Sequence, residues 1–367
     1  MSLRHEFVLL AQAPNANIQA LCQTYGISRK TGYKWLARFR EEGDAGLVER
    51  SRRPEQSPRR SSLALEAQVL FLHERYPYWG GRKLQRLLPA DVQPPHPSTI
   101  DAILRRHGKR VEGGPASPPA TGRFEHEAPN LLWQMDFKGH FPLTNTNAGR
   151  CYPLTILDDH SRFSICLAAC GNETRATVQP CLIKAFQRYG LPERITADNG
   201  NPWGDATGKG ISALDAWLIR LGIRVSHSRP YHPQTQGKDE RFHRTLKQEL
   251  LSRQGFNSLV DCQRAFDRWR DQYNLIRPHE ALGQEPPITR YQPSGRPYPA
   301  TLPEIEYEPG DEVRMVRHTG DARYRGRYVY IGAGLAGERI AIRPTTIDGV
   351  FSVFYCHKEI RQIDLRG

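Results

Sequence analysis

Apolar and polar positions along the chain change their period several times, and each change marks a candidate domain. Residues 1–53 follow a helical period that is interrupted at Gly26, where a glycine can adopt a positive φ. The next helical stretch, "RKTGYKWLARFREEG", follows Ser28, a residue type that caps helices well, although Gly32 within it costs about 1 kcal/mol in propensity. Two helices around a glycine turn predict a helix-turn-helix DNA-binding domain.

The surface of this first domain carries the residues that would meet DNA. A recognition helix contacts base edges and phosphates from its first turns, and cations after it suit phosphates or a minor groove. The predicted contacts are Arg29, Lys30, Thr31, Lys34, Arg50, Arg52 and Arg53. A three-helix packing module without a DNA role is the alternative.

A second helical block is predicted for residues 54–112. After a segment rich in Arg, Pro and Ser come three stretches with helical spacing, "ALEAQVLFLHERYP", "GGRKLQRLL" and "HPSTIDAILRRHG". They are similar to a second helix-turn-helix unit, less clearly than the first. Residues 113–130 are rich in Gly and Pro and are predicted to be a linker.

From residue 131 the pattern turns to strands alternating with helices, which predicts an α/β domain with a mixed sheet over residues 131–292. Residues 293–303 are a second predicted linker. Residues 304–367 contain short alternating strands separated by Gly turns, which indicate a small, Arg-rich β-barrel. The chain is therefore predicted to be multidomain, with all-α domains first, an α/β domain in the centre and a β-barrel last.

Composition narrows the class of partner. The 367 residues have a formal net charge of +13, and the sequence pI is about 9.5, which favours nucleic acid over other partners. No apolar run approaches the roughly 18 residues that span a bilayer, and no lipidation motif appears, so no membrane partner is expected. The seven cysteines include no CxxC pair, which argues against zinc and against disulfides. A cytoplasmic, nucleoid-associated protein is expected.

Three acids occupy positions that a solvated surface does not explain well. Asp136 lies within the strand pattern "WQMDFKG", Asp198 ends the strand "ITADNG", and Glu240 lies near the start of a helix. Carboxylates in such positions need partners, and a divalent cation can be shared by all three. Oxygen ligands without His or Cys favour Mg²⁺ or Mn²⁺.

The stretch "HPQTQGKDERFHRTLKQEL" sets two neighbouring acids among cations, and helical geometry separates their roles. Glu240 shares a face with cations at i+4 and i+7, whereas Asp239 shares the row of the apolar Phe242 and Leu246. Glu240 is therefore the predicted ligand, and Asp239 is predicted to accept backbone N–H bonds at the helix start. The predicted phosphate contacts here are Lys238, Arg241, Arg244 and Lys247.

In "ILDDHSRF", Asp158 and Asp159 are predicted to be turn residues. Together with the three acid-containing motifs, this motif completes a set that resembles a known family. "WQMDF", "ILDDHSRF", "TADNG" and "HPQTQGKDERFHRTLKQEL" are similar to the integrase-type catalytic core of bacterial insertion-sequence transposases, the DDE, retroviral-integrase-like superfamily. The resemblance covers nearly the whole chain and implies a ribonuclease-H-like core. The 41 residues between Asp198 and Glu240 exceed the spacing typical of retroviral integrases, and a Gly-rich insert accounts for the surplus.

The resemblance implies an acidic triad of Asp136, Asp198 and Glu240, holding two Mg²⁺ or Mn²⁺ ions per active site with Asp136 as the bridge. It implies cleavage that exposes 3′-OH ends of the element, and attack by those hydroxyls on target DNA. Pairing two ends requires a homo-oligomer, at least a dimer. Two alternatives are a sequence-specific DNA-binding regulator and a ribonuclease-H-like nuclease without strand transfer.

Overall fold

The computed structural model describes residues 2–50, 60–109, 125–145, 149–198, 203, 211–227 and 237–366. The chain divides into two compact units, Met1–Ser62 and Leu63–Gly367. Arg52 and Arg53, two predicted DNA contacts, lie outside the described residues. Among the described residues, no helix has both the length and the apolar character that a membrane crossing needs.

The first unit is a three-helix fold, which confirms the predicted helix-turn-helix pattern. Its helices are α1 (Leu3–Ala11), α2 (Ile18–Thr24) and α3 (Arg29–Glu42). Side chains cap all three N-termini; the Ser28 hydroxyl, for example, accepts the Thr31 N–H at 3.2 Å, as predicted for this residue. Gly26, with a φ of 63°, makes the turn between α2 and α3.

Gly32 is explained by close helix packing. A Cβ built on Gly32 would lie 2.6 Å from Cys22 Sγ and 2.9 Å from the Phe7 ring. No side chain fits at this point of α3, because α1 and α2 approach its backbone too closely. The glycine lowers helix propensity and in return lets the three helices share one apolar core.

The second helical block contains three helices, α4 (Leu63–Arg75), α5 (Gly81–Arg86) and α6 (Pro97–Arg106). Their shared core is built around fully or nearly fully buried side chains: Val69, Tyr76, Trp79, Leu84, Ile100, Ile103 and Leu104. Trp79 also reaches the central domain, where its indole N–H donates to Glu249 Oε1 at 3.1 Å. The block therefore packs against the central domain as part of one compact unit.

The central domain is built on a mixed sheet, as predicted. Its strands are β1 (Trp133–Phe137), β2 (Phe141–Pro142), β3 (Arg150–Asp158), β4 (Ser164–Cys170), β5 (Arg194–Ala197) and β6 (Arg224–His227). β3 pairs antiparallel with β1, with β4 and, at its first residues, with β2. β1, β5 and β6 run parallel, so their carboxyl ends meet at one edge of the sheet.

Helices cover both faces of this sheet. They are α7 (Arg175–Tyr189), α8 (Ala213–Arg220), α9 (Gly237–Leu246) and α10 (Leu259–Leu275). Residues of α7 and α8, such as Phe186 and Trp217, belong to one core cluster, while Phe242 of α9 and Phe266 of α10 belong to the other. The helical path of α9 continues as a π-helical turn over Lys247–Leu251.

The C-terminal region consists of short strands, as predicted, but the described strands do not close into a barrel. They are β7 (Glu312–Met315), β8 (Asp321–Tyr324), β9 (Arg327–Tyr330), β10 (Arg339–Pro344), β11 (Val350–Tyr355) and β12 (Lys358–Asp364). Four form an open sheet in the order β12-β11-β10-β7. β8 and β9 pair only with each other, so no strand joins the two edges of that sheet. The predicted closed barrel is corrected to an open sheet plus a hairpin.

This C-terminal sheet packs directly on the central domain. A Cβ on Gly334 would lie 2.1 Å from the Ile211 carbonyl oxygen, so the two backbones touch at the entrance to α8. Arg220 of α8 pairs with Glu338 at 3.5 Å, and Lys358 Nζ donates to the carbonyl of Val225 at 3.3 Å. One continuous apolar core includes residues of both regions.

Candidate active site

The carboxyl ends of two parallel strands bring together two of the three predicted acids. In the register of β1 and β5, Gln134 lies beside Thr196. Asp136 follows Gln134 by two residues and Asp198 follows Thr196 by two, so the two acids leave the sheet side by side, with parallel strands about 4.8 Å apart. Asp136 is half-buried and Asp198 is exposed.

Asp136 has the electrostatic character of a cation ligand. Its pKa is raised to about 6, mainly by burial and also by the negative charges of Asp198 and Glu173, against a backbone hydrogen bond from Phe137 that lowers it. Carboxylates that repel one another in this way have a strong affinity for a divalent cation, which removes the repulsion. The site therefore favours a hard cation beside Asp136 and Asp198.

The backbone carbonyl of Asp136 is held by hydrogen bonds that involve one residue of β3 and one of α9. The Thr155 hydroxyl donates to the Asp136 carbonyl at 3.0 Å, so its oxygen accepts from His243 Nε2 at 2.8 Å. Burial lowers the pKa of His243 to about 4, so the ring is neutral and carries its proton on Nε2. Nothing in the local sequence pattern points to Thr155 or His243, because their contact depends on the β1–β3 register and on the packing of α9.

Asp198 is fixed by a second pair, from β6 and α8. His227 Nδ1 donates to the Asp198 carbonyl at 2.9 Å, and its Nε2 lies 3.3 Å from Asp215 Oδ2. The hydrogen bond to Asp215 raises the pKa of His227. Asp215 is in turn held at the start of α8 by a capping box with Ser212. These residues were also missed by the sequence analysis, since nothing in their local pattern ties them to Asp198.

We expect His227→Ala to weaken the site without removing it. Loss of both hydrogen bonds frees the backbone at Asp198, and loss of such a supporting group typically costs about 10- to 100-fold in metal affinity or activity. The measurement is the Mg²⁺ concentration that gives half-maximal cleavage of end-sequence DNA. His318→Ala, at an exposed histidine of the C-terminal region, is the matched control. An unchanged Mg²⁺ dependence in His227→Ala would contradict the supporting role.

The two neighbouring acids of α9 differ from each other in burial. Asp239 is 3% exposed, whereas Glu240 is exposed to solvent. Burial raises the pKa of Asp239 well above its usual value, and the charges of Asp136 and Asp159 raise it further. Asp239 Oδ1 has no hydrogen-bond partner among the described residues, so the predicted bonds to backbone N–H groups are not seen for this oxygen.

The environment of Lys238 also differs from the predicted one, because its side chain lies against a buried acid. Its ammonium group, predicted to contact DNA phosphate, pairs with the carboxylate of Asp159, and only 16% of the Lys238 side chain is exposed. Asp159 is 1% exposed and further accepts from His126, backbone and ring, and from Gln134, each at 3.0 Å. Burial opposes the charge on Asp159, but these donors outweigh it and lower its pKa. Lys238 thus ties the first turn of α9 to the end of β3.

The other residues of the "DDHS" motif form the predicted turn. Asp158 Oδ1 accepts from the backbone and hydroxyl of Ser161, at 2.8 Å and 2.5 Å, and its Oδ2 accepts the Asn130 N–H at 2.7 Å. The turn role predicted for Asp158 is confirmed. Asp159 differs, because its carboxylate points to Lys238 and Gln134.

The remaining predicted DNA contacts lie on two surfaces. On α9, Arg241 and Arg244 are exposed, as is Lys247 in the π-helical turn after it. On α3, the exposed residues are Arg29, Lys30 and Lys34, whereas Thr31 is half-buried and bonded to Ser28. Arg50 is exposed and pairs with Glu42. Each of these DNA contacts stays a prediction.

The carboxylate groups of the site fit a hard divalent cation, although the side chains do not yet form a complete coordination shell. Among the described residues, no group of three or more His, Cys, Asp and Glu side chains is close enough to hold a metal ion. Asp136 and Asp198 supply two neighbouring carboxylates, and the unpartnered Asp239 Oδ1 lies in the electrostatic field of Asp136. Carboxylate oxygens suit Mg²⁺ or Mn²⁺. The exposed Glu240 adjoins this set on the first turn of α9.

Family models match successive parts of the chain. Two models described as "Integrase core domain" match residues 126–233 and 221–287. A model described as "IS481 family transposase, C-terminal domain" matches residues 311–367. A "Helix-turn-helix domain" matches residues 4–55 and a "Homeodomain-like domain" matches residues 31–104. These two models together span both helical blocks and the Arg- and Pro-rich sequence between them.

Several relatives are bacterial insertion-element proteins. An uncharacterized 39.2 kDa protein of insertion element IS476 from Xanthomonas euvesicatoria is 28% identical over 252 residues, which are 66% of this chain and 69% of that protein. A putative transposase for insertion sequence element IS5376 from Geobacillus stearothermophilus is 24% identical, over 50% of this chain and 46% of that protein. The Gag-Pol polyprotein of baboon endogenous virus is 28% identical, over 63% of this chain but only 13% of its own length.

Solved structures with some likeness come from retroviral integrases. One is a simian T-cell lymphotropic virus intasome in complex with PP2A regulatory subunit B56 gamma, with a TM-score of 0.38, 18% identity, and coverage of 80% of this chain and 98% of that chain. Another is the HTLV-2 integrase catalytic core domain in complex with magnesium, with a TM-score of 0.34, 18% identity, and coverage of 45% and 97%. Scores this low carry no argument about this chain.

A helix-turn-helix front, an integrase core on a mixed sheet and a transposase C-terminal domain, in this order, define the class of DDE recombinases. Within that class, the chain is similar to the integrase-type transposases of bacterial insertion sequences, through its integrase core, its C-terminal domain and its insertion-element relatives. This agrees with the family resemblance of its sequence motifs.

Proposed function

We propose that the protein binds the end DNA of its element, cleaves it to expose 3′-OH ends and joins those ends to target DNA. The observation that carries this proposal is the pairing of Asp136 and Asp198 at the carboxyl ends of adjacent parallel strands. Two neighbouring acids at such an edge, with the pKa of Asp136 raised, suit cation-assisted phosphoryl transfer.

The chain's own residues supply position and charge. Asp136 and Asp198 face the scissile phosphate from the sheet, held by Thr155 with His243 and by His227 with Asp215. Glu240 completes the triad by turning its solvent-exposed side chain toward Asp136, and the Lys238–Asp159 pair fixes the helical turn from which it does so. No protein nucleophile is required, because water and then a DNA 3′-OH attack phosphorus.

We propose that Asp136, Asp198 and Glu240 hold two Mg²⁺ or Mn²⁺ ions per active site, with Asp136 shared between them. When bound, such ions supply Lewis acidity for activating the attacking oxygen and for stabilising the leaving oxygen. Arg241, Arg244 and Lys247 lie exposed on or just after the same helix as Glu240 and would hold the phosphates beside the cut.

We propose a homo-oligomer, at least a dimer, because two element ends must be held together during joining. The exposed cations of α3 would select the end sequence, and the net charge of +13 would retain flanking and target DNA. Acting on chromosomal DNA, the protein would work at the nucleoid.

A strand-transfer assay tests the proposal. The full chain is incubated with Mg²⁺, a labelled donor duplex that already ends in the exposed 3′-OH, and a supercoiled target plasmid. The expected product is donor label joined covalently to the plasmid. A nuclease without strand transfer would cut DNA but give no joined product, and a DNA-binding regulator would neither cut nor join, so either result would overturn the proposal.

A further inference from the structure

A cavity of about 350 Å³ lies where the second helical block meets the central domain. It is at the C-terminal end of the α9 helical path, whereas Glu240 lies in the first turn of α9. Its walls come from the segment after α4, from the end of the α9 helical path and from α10. We call it the junction pocket and define it by Arg75, Tyr78, Trp79, Arg253, Arg268 and Trp269, which line it. None of the roles described so far uses it.

The side chains at the base of the junction pocket are hydrogen-bonded to one another, and their charges cancel. Glu249, in the π-helical turn, accepts from three donors: Trp79 Nε1 at 3.1 Å, Trp269 Nε1 at 3.3 Å and Arg277 Nε at 2.9 Å. Both partners of the Glu249–Arg277 pair are at most 10% exposed. One carboxylate, one guanidinium and two indoles therefore satisfy one another, and π-helical turns frequently occur at functional sites.

The rim of the pocket is not balanced. Arg75, Arg253 and Arg268 come from three different elements, and all three are exposed. Among the described residues, none of these three has a carboxylate partner. Converging guanidinium groups repel one another, and an anion between them removes that cost. Since guanidinium groups bind phosphate oxygens in pairs of hydrogen bonds, a phosphate is the anion that this rim suits best.

An aromatic surface lies beside this cationic rim. Tyr78 is 44% exposed, and the Arg253 guanidinium lies 4.1 Å from the centre of its ring. Next to it, Tyr76 and Trp79 stack with ring centroids 4.2 Å apart and planes 5° apart. Arg253 covers one face of the exposed Tyr78 ring, so a base would stack on the other face while its phosphate binds the cation, a combination of aromatic ring and arginine that single-stranded nucleic acid uses.

We infer that the junction pocket binds one unpaired nucleotide, with its phosphate on Arg253 and Arg268 and its base stacked on Tyr78. A cavity of this size admits a single nucleotide and excludes a duplex. This inference rests on the proposed action on DNA and adds a second contact to it. Eleven residues at helical rise lead from Glu240 to Leu251, the end of the helical path, so the pocket lies about 17 Å along the helix from Glu240, the length of about five base pairs.

The test is DNA binding by the full chain in EDTA, measured by fluorescence anisotropy. The probes are a labelled single strand of twelve thymidines and a labelled blunt duplex. The double variant Arg253→Ala/Arg268→Ala is expected to bind the single strand at least about 10-fold more weakly, and Tyr78→Ala about 5- to 10-fold more weakly. Both variants are expected to bind the duplex within about 3-fold of wild type, because the helix-turn-helix and α9 cations are intact.

Arg175→Ala is the matched control, since Arg175 is an exposed arginine at the start of α7 and does not line the pocket. It should bind both probes like wild type. Circular dichroism and the thermal midpoint of each variant establish that it is folded. Competition with dAMP separates the two sources of a nucleotide: displacement of the strand assigns a site open to free nucleotides, and no displacement assigns a site for a nucleotide within a DNA chain.

Single-strand binding by the double variant within 2-fold of wild type would overturn the inference. So would a parallel loss for single strand and duplex, which indicates general charge attraction instead of a pocket. No cleavage or joining is measured in this experiment. Failure of the proposed transposase reaction and failure of the junction pocket are therefore distinguishable.

Discussion

Asp136→Asn is expected to abolish metal-dependent cleavage and joining, with a fall in rate of about 10³-fold or more, which corresponds to about 4 kcal/mol of transition-state stabilisation. The amide keeps the shape of the side chain but removes the negative charge with which Asp136 is proposed to hold a cation. The measurement is the single-turnover rate on end-sequence DNA in Mg²⁺. Duplex binding in EDTA should stay as in wild type, because the cations predicted to contact DNA are untouched.

The same variant is expected to be at least as stable as wild type without metal. Because burial raises the pKa of Asp136 to about 6 from 3.8, its contribution to stability is present at low pH and is lost as the pH rises through about 6. Asn does not ionise and avoids this loss. Asp271→Asn, at an exposed acid of α10, is the matched control and should leave the rate unchanged. A normal rate in Asp136→Asn would remove Asp136 from the active site.

Asp159→Ala is expected to lower the free energy of unfolding by about 3 to 5 kcal/mol, because it removes the carboxylate that balances the largely buried ammonium group of Lys238. Urea unfolding of the full chain, followed by tryptophan fluorescence, measures the change. Activity should fall as well, since Lys238 adjoins the turn that presents Glu240.

The double variant Asp159→Leu/Lys238→Met separates charge from packing. Removing both charges together should restore most of the stability, because no unpaired charge stays buried. A cost below about 1 kcal/mol for Asp159→Ala would show that water solvates Lys238 in the folded protein, and the pair would then have no role in fixing α9.

Local patterns predicted the elements of this protein well and their pairings less well. The caps at Ser28 and the turn at Gly26 follow from residue type alone, and they occur as expected. The C-terminal strands were likewise visible as alternating patterns. The predicted closure of these strands into a barrel was wrong for the described strands, because β8 and β9 pair with each other and not with the edges of the sheet. Strand alternation carries no information about which edge a strand joins.

The candidate site shows the same division. Asp136 and Asp198 were predicted because the first lies within a strand pattern and the second ends one, positions that a solvated surface does not explain. Their supporting residues were not, since Thr155 and His227 lie near them only through the strand registers. Lys238 was predicted to face DNA because a lysine at a helix start is usually solvated. The buried Asp159 that it meets lies 79 positions earlier in the chain.

The contact between the C-terminal sheet and α8 has a consequence for how this transposase can evolve. The backbone of Gly334 touches the residues that cap α8, and α8 carries Asp215, which supports His227 behind Asp198. A graft that replaced the C-terminal region with that of another element would therefore have to reproduce this contact, or it would shift the backbone at Asp198, one of the proposed metal ligands, together with the exchanged region.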